Sequence, residues 1–421
     1  MKTFNLPALA LLSALSSSAF AGEPTALSWQ NCMALAKASN PTLLAAQHSL
    51  ESAKSKYYVS LNTFFPSLNL SHSVSRSGSG SGRSPDAWSA GESLNWSLLN
   101  FSNIKDLKSK QTALRQAEEV LRQAEVNLRK NLRIAFADLL YNQEKIGLME
   151  SIAELRIKNS KMVSLQYDSG RESKGNMMRA QALAAQAVSD ISKARLTLSS
   201  AQRSLLALMG QDALRVVTAS GTLSVPGRGP DPDVETVAQN APDVKVSAYT
   251  VQLYEIQFES AKVSGYPTLT ASQSLNWTGA QEFPNQRSWG VGLSLSLPIF
   301  SGGPTSYWNS KNSAMQLYLK AKEDYRQTLL NTRYTAQNAW SNLLSSIYDC
   351  DVDQQLLAAS DQRHNESTIK YLAGSMIFEN WETVEQEFVN AEKSYLDALR
   401  SAAAAEANWL ALAGTTLGDR P

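Results

Sequence analysis

The feature that most constrains this chain is that it is written twice. Pro41 and Pro66 are 25 residues apart, and so are Pro242 and Pro267. Pro66-Ser-Leu-Asn-Leu has a partner in Pro267-Thr-Leu-Thr-Ala, and Asn100-Phe101-Ser102 one in Ile299-Phe300-Ser301. Tyr167, Gly170, Asn176, Ala187, Leu206-Ala207-Leu208 and Gly210 recur 204 places later as Tyr371, Gly374, Asn380, Ala391, Leu410-Ala411-Leu412 and Gly414. A run of matches at constant offset makes each half one copy of a structural unit. The first repeat is assigned to 22–215 and the second to 236–415, followed by a tail at 416–421. Between them, 216–235 contains Val225-Pro226-Gly227-Arg228-Gly229-Pro230-Asp231-Pro232 and reads as a linker.

Each unit reads as helix, two strands, long helix, helix. The first half has helical stretches at 42–64, 102–166 and 172–208, with strands at 66–76 and 90–100. The second has helices at 240–264, 305–370 and 376–412, with strands at 267–277 and 288–298. The long helix of half one spans roughly 98 Å at a rise of about 1.5 Å per residue. The two shorter helices of the same half sum to nearly its length, so stacked end to end they would flank it. Leu107, Leu114, Leu121, Leu128 and Ala135 recur every seven residues with Ala117 and Ala124 between them, a coiled-coil seam with small residues. Such a helix needs lateral neighbours along its whole length.

The strands carry a second constraint. Trp289, Val291, Leu293, Leu295 and Leu297 alternate with Ser288, Gly290, Gly292, Ser294 and Ser296. Leu94, Trp96 and Leu98 alternate with Ser93, Asn95 and Ser97, and Leu68, Leu70 and Val74 share a face. About eleven residues is the length of a tilted membrane strand, and apolar on one face with small polar on the other is the outer-membrane barrel pattern. Trp96, Phe101, Trp277, Trp289 and Phe300 lie near strand ends, where an aromatic girdle would sit. Four strands cannot close a barrel, and open edges in lipid leave backbone groups unpaired, so closure must be shared between chains. The link Ser77–Gly82 reads as a flexible external loop.

Composition narrows the function. Lys and Arg number 39 against 38 Asp and Glu, a net charge of +1 that gives no electrostatic reason for a nucleic-acid partner. Lys2, an apolar run from Leu6 to Leu15, and Ala19-Phe20-Ala21 form a secretory signal peptide over 1–21, and no cysteine at the cleavage point provides a lipid anchor. Two cysteines and three histidines are too few for a disulfide framework or a metal cage. An oxidising compartment permits a Cys32–Cys350 bridge, but Cys32 sits near the start of the repeat and Cys350 in mid-helix, which favours free thiols. His48, His72 and His364 are scattered and read as polar surface or lumen residues. No nucleophilic triad, metal site, cofactor motif or nucleotide loop is assembled, so the chain reads as a non-enzyme that draws energy from a partner.

At this point the residues resemble the TolC-type outer-membrane efflux proteins. The resemblance covers about 25–415 and rests on the duplicated layout and three local motifs. These are the helix-end Phe-Pro-Ser-Leu and Tyr-Pro-Thr-Leu, Leu-Pro-Ile-Phe-Ser-Gly-Gly at 297–303, and the Tyr-x-x-Gly turns at 167–170 and 371–374. It implies a mainly helical protein with membrane strands, forming a homotrimer with a 12-strand outer-membrane β-barrel continued by a 12-helix periplasmic α-barrel. It also implies a passive duct for efflux or type I secretion that works with a periplasmic adaptor and an inner-membrane transporter. In the family an Asp six residues after one turn glycine bonds a Tyr three residues before the neighbouring one. The Tyr positions fall on Tyr167 and Tyr371. The Asp positions fall on Asn176 and Asn380, and a second Asp on Thr383, so the expectation here is an uncharged gate closed by Tyr–Asn bonds. Gly170, Arg171, Lys174 and Gly374 are the adaptor-contact turns by the same resemblance. Glu379, Glu382, Glu385 and Glu387 crowd one helix start. They read either as an anionic ring at the tunnel mouth or as solvated acids matching the helix dipole. A coiled-coil envelope tether or adhesin stalk is the alternative, but it leaves two equivalent amphipathic strand pairs unexplained. An enzyme on a helical scaffold lacks any catalytic constellation.

Overall fold

The computed structural model describes residues 25–76, 78–79, 82–83, 86–211, 215–299 and 302–419. The segment 1–21, expected as a signal peptide, and Phe300, expected in an aromatic girdle, lie outside the described residues.

The chain runs β1 (Thr25–Leu27), α1 (Trp29–Ser39), α2 (Pro41–Leu61), a single 3-10 turn at Asn62–Phe64, and β2 (Ser67–Ser75). A two-residue hairpin, β3 (Gly78–Ser79) with β4 (Gly82–Arg83), occupies the described part of the link expected as loop. Then come β5 (Ala87–Leu99), α3 (Phe101–Asp168), α4 (Lys174–Leu208), β6 (Val217–Ala219) and α5 (Val234–Asn240). The second half continues as α6 (Pro242–Val263), β7 (Thr268–Gly279), β8 (Gln286–Ser296), α7 (Ser306–Leu372) and α8 (Phe378–Leu412).

Local chemistry sets the helix limits. Ser28, Asn40, Asn100 and Ser173 each accept a backbone N–H from the first turn of the helix that follows, and Pro41 and Pro242 stand at first helical positions. α3 and α7 end alike. Gly170 and Gly374 have φ of 74° and 75°, and the residues after them, Arg171 and Ser375, donate back to Gln166 and Lys370 at 2.8 and 3.0 Å.

α3 has 68 residues and α7 has 67, each roughly 100 Å long. α4 and α2 pack along one flank of α3, α8 and α6 along the other, and α7 packs on α6 and α8. The short helices meet end to end at mid-height. Asn40 Nδ2 donates to Leu208 O at 2.8 Å, and the start of α6 (Pro242, Asp243) lies beside the end of α8 (Ala411, Leu412). The heptad residues Leu128 and Ala135 are buried, while Leu107, Leu114 and Leu121 are half-buried.

The waist holds what the repeat pattern did not foretell. β1 pairs in parallel with β6, and with α1 they cover a core of Cys32, Leu43, Leu132, Leu139, Leu205 and Met209. The segment read as a linker is held to the helices as a belt. Gln143 and Ala219 exchange two hydrogen bonds at 2.8 and 3.3 Å, and Leu223 N donates to Glu144 Oε1 at 3.2 Å. Val225 packs on Trp340, Leu343 and Ile347. The prolines and glycines there suit an extended path whose backbone groups are satisfied by helix side chains.

The four long strands form one antiparallel sheet in the order β2-β5-β7-β8. It is open: the chain by itself closes no barrel. Register places Leu68 beside Leu94, Ala271 beside Leu293 and Leu275 beside Trp289. This apolar face has no covering layer; Leu70 is 77% exposed and Val291 75%. Among the described residues no helix is long and apolar enough to cross a membrane.

Candidate functional site: the helical tip and the sheet

Two sites follow from this layout, at opposite ends of the long helices. At the strand end, aromatic residues gather at two levels. Trp96, next to α2's end, donates from Nε1 to Phe64 O at 2.9 Å, and Phe101 meets Tyr266 edge-on at 5.4 Å. Trp277 and Trp289 lie toward the far loops, and Trp289 is 73% exposed. Outside the strands' far end, Arg76 and Asp86 form a two-pronged ion pair across the β2–β5 hairpin.

At the other end, the turn between α3 and α4 sits against the turn between α7 and α8. Tyr371 is buried, stacks on Trp381 at 4.6 Å with rings 7° from parallel, and meets Phe378 edge-on. Val163, Ala180 and three partly buried methionines, Met162, Met177 and Met376, complete this apolar cage. Its hydroxyl donates to Glu172 Oε1 at 2.9 Å. Burial first, and then the Glu172 carboxylate, push the Tyr371 phenol well above its usual value, so it stays a donor.

The direct Tyr–Asn bond expected at this turn is therefore replaced. Glu172 stands between the two residues: its Oε2 accepts from Asn176 Nδ2 at 2.9 Å, so Tyr371, Glu172 and Asn176 form a chain. The tip is not uncharged, because Glu172 supplies a carboxylate the Asn positions lack. Tyr167 is half-buried and Asn380 exposed, and among the described residues neither has a side-chain hydrogen bond. Thr383 Oγ1 turns back to Glu379 O of its own helix at 2.8 Å. Gly170 and Gly374 have nothing within 4 Å of where a Cβ would stand, and Arg171 and Lys174 are exposed beside the first turn.

The four glutamates are neither a free ring nor merely solvated. They clip helices together. Glu379 accepts from Asn176 at 3.5 Å and Glu382 from Arg179 at 2.6 and 2.8 Å. Glu387 pairs with Arg363 at 2.6 Å. Glu385 is 1% exposed and lies 3.3 Å from Arg156, itself 6% exposed. Burial raises the Glu385 carboxyl while the Arg156 guanidinium pulls it down. Arg156 also donates to Gln386 at 2.9 Å. Sequence reading missed Glu172, Arg156 and the Phe378/Trp381 cage. Phe378 and Trp381 lie within ten positions of their ring partner Tyr371, but the Val163 and Ala180 wall of the cage is about 200 positions away in sequence.

His364 is not a surface residue. It is buried and stacks on Phe388 at 4.9 Å. Cys32 and Cys350 are both buried and free, in separate clusters; burial pushes the Cys32 thiol up to about 11. Among the described residues no group of three or more His, Cys, Asp or Glu is placed to hold a metal ion.

Known proteins share this arrangement. The structure of the CusC channel superposes with a TM-score of 0.82 at 17% identity, covering 98% of each chain. The cobalt-zinc-cadmium resistance protein CzcC of Cupriavidus metallidurans is 24% identical over 63% of this chain and 62% of its own length. Nodulation protein T of Rhizobium leguminosarum bv. trifolii is 24% identical over 60% and 55% respectively. The chain thus spans less than two thirds of the length of CzcC and of nodulation protein T. A family model described as "Outer membrane efflux protein" matches residues 33–211 and 234–415, covering both repeats. The chain belongs to the outer membrane efflux protein family.

Proposed function

We propose that this chain is one third of an exit duct, a homotrimer whose twelve strands close a barrel in the outer membrane and whose twelve helical columns form a tunnel through the periplasm. The observation that carries this reading is the open four-stranded sheet. Its apolar face is bare and its edges, β2 and β8, are unpaired, a combination stable in lipid only when neighbouring chains complete the ring. Three chains give a barrel wide enough for a lumen, whereas eight strands would be filled by their own side chains. The duct is passive. A periplasmic adaptor would rest on the turns around Gly170, Arg171, Lys174 and Gly374, and an inner-membrane transporter would supply the energy. Kinship with a cobalt-zinc-cadmium resistance protein supports an export role, and in this reading the cargo is a small molecule or a protein.

The gate is assigned to the tip, with Tyr371 held by Glu172, which Asn176 in turn holds within the protomer, and Tyr167, Asn380 and Thr383 facing the next one. The test is planar-bilayer conductance of the purified trimer. Tyr371→Phe removes a hydrogen bond to a charged acceptor, of order 1.5–3 kcal/mol, and should raise the open fraction by about tenfold or more. Tyr167→Phe, which breaks no bond within the chain, should do less. Protein that passes no current, wild type or variant, would favour the tether instead.

A further inference from the structure

The duct reading leaves open what kind of solute the wall is built to meet, and two independent features bear on it. The first is the polar face of the sheet. Ladder register puts Ser67, Asn69, Ser71 and Ser73 of β2 beside Asn95, Ser93, Gly91 and Ser89 of β5. The same face continues through Thr270, Ser272, Ser274 and Asn276 of β7 to Ser294, Gly292, Gly290 and Ser288 of β8. Hydroxyls, amides and bare backbone cover this face across all four strands. The charged residues within the paired strands, Glu92 and Arg287, lie on the opposite face, opposite Leu275 and Trp277.

The second is a notch of about 590 Å³ at the waist, where α8 ends and α6 begins between α3 and α7. Its size falls in the range of small-molecule sites, roughly 300–1,000 Å³. Asn127, Asn338, Asn342 and Asn408 line it from three helices, and among the described residues none of these four amides has a side-chain hydrogen bond. The charged residues lining it, Lys130 and Asp243, are of opposite sign, and Asp243 already accepts from Gln123. The belt covers the side of α8 that carries Leu399 and Ala402, whereas the notch opens on the side that carries Asn408. In the proposed trimer, with the belt on the outside of the wall, the notch faces the tunnel.

We propose that the notch is a luminal binding site for a neutral, polyhydroxylated solute, which then leaves over the uncharged face of the sheet. An asparagine amide both donates and accepts, as a hydroxyl does, so four amides can meet a saccharide-like molecule from several sides. The single cation and single anion of the lining, Lys130 and Asp243, leave the notch without net charge, so an ion carrying several like charges gains too little there to offset its desolvation. This rests on the duct reading, which supplies the lumen.

The test uses the detergent-solubilised full-length trimer in titration calorimetry. The probes are maltotriose and trigalacturonate, of equal ring number but with three carboxylates on the second. Maltotriose should bind at least about tenfold more tightly than trigalacturonate. Asn342→Leu with Asn408→Leu should weaken maltotriose by about tenfold or more while the melting temperature holds. Asn408→Ala alone, a change at an exposed side chain, is the second variant should the double one misfold, and it should weaken binding by a smaller factor. Absence of maltotriose binding, equal binding of the anion, or undiminished binding by the variants would overturn the proposal. Channel current without maltotriose binding defeats this site and leaves the duct; absence of current in the bilayer defeats the duct itself.

Discussion

His364 shows how much one residue can report. It lies on α7 against Phe388, and its Nδ1 has no hydrogen-bond partner among the described residues. Burial holds its pKa below the ordinary histidine value; Asp361 acts against that shift and Arg156 adds to it. The unfolded chain therefore takes up a proton at higher pH than the folded one. The stability this group contributes is complete above an unfolded pKa of about 6.5 and declines as pH falls through that value toward the folded one. Melting curves of the purified protein between pH 7.5 and 5.5 should show a loss that is smaller in His364→Gln. The Arg156–Glu385 pair gives a second outcome at this scale. Glu385→Ala leaves a guanidinium buried without its carboxylate, which costs of order 3–5 kcal/mol. Thermal unfolding should show a larger drop than for Glu387→Ala, whose partner Arg363 is 63% exposed. Neither role is legible from sequence, because both depend on packing between residues more than 20 positions apart. What sequence could supply at the tip was the turn itself, through Tyr-x-x-Gly repeated at the constant offset.

At the scale of elements, sequence was far more informative. Long helices, strand pairs and their duplication were read from periodicity, and the boundaries moved by only a few residues: 102–166 became Phe101–Asp168, and 90–100 became Ala87–Leu99. The waist was not readable. β1 and β6 have three residues each, too few for alternation to register, and the belt has the composition of a linker while its bonds come from Gln202 on the preceding helix and from Gln143 and Glu144 on α3, 76 and 79 positions from their partners. The joints between short helices make a testable contrast. Gly210 has φ 67°, and a Cβ there would overlap the Ser39 carbonyl oxygen at the α4–α2 joint. Gly170 has φ 74° with open space around it. Gly210→Ala should cost several-fold more stability than Gly170→Ala, which bears only the left-handed backbone penalty of about 1–2 kcal/mol. Side-by-side melting temperatures of the two variants decide this.

For the whole molecule, the sheet sets the terms. A solitary protomer would expose Leu70, Trp289, Val291 and Leu293 to water and leave two strand edges open. Native mass spectrometry from detergent should return three chains, and Ser71→Pro on edge strand β2, in the middle of the ladder, should shift that population toward monomers. A water-soluble monomer would remove the basis of the duct.

The two kinds of column in this wall also differ in mechanical continuity. α3 and α7 run unbroken from strand to tip, whereas their flanking columns are each interrupted at the same level, spliced by the Asn40 to Leu208 bond in one and by the abutment of Pro242 and Asp243 on Ala411 and Leu412 in the other. A twist applied at the tip can be handed upward as rigid rotation only along the two unbroken rods. The splices act as slip joints, and the short strands and belt beside them take up the remainder, so in the proposed duct a movement at the tip need not deform the sheet.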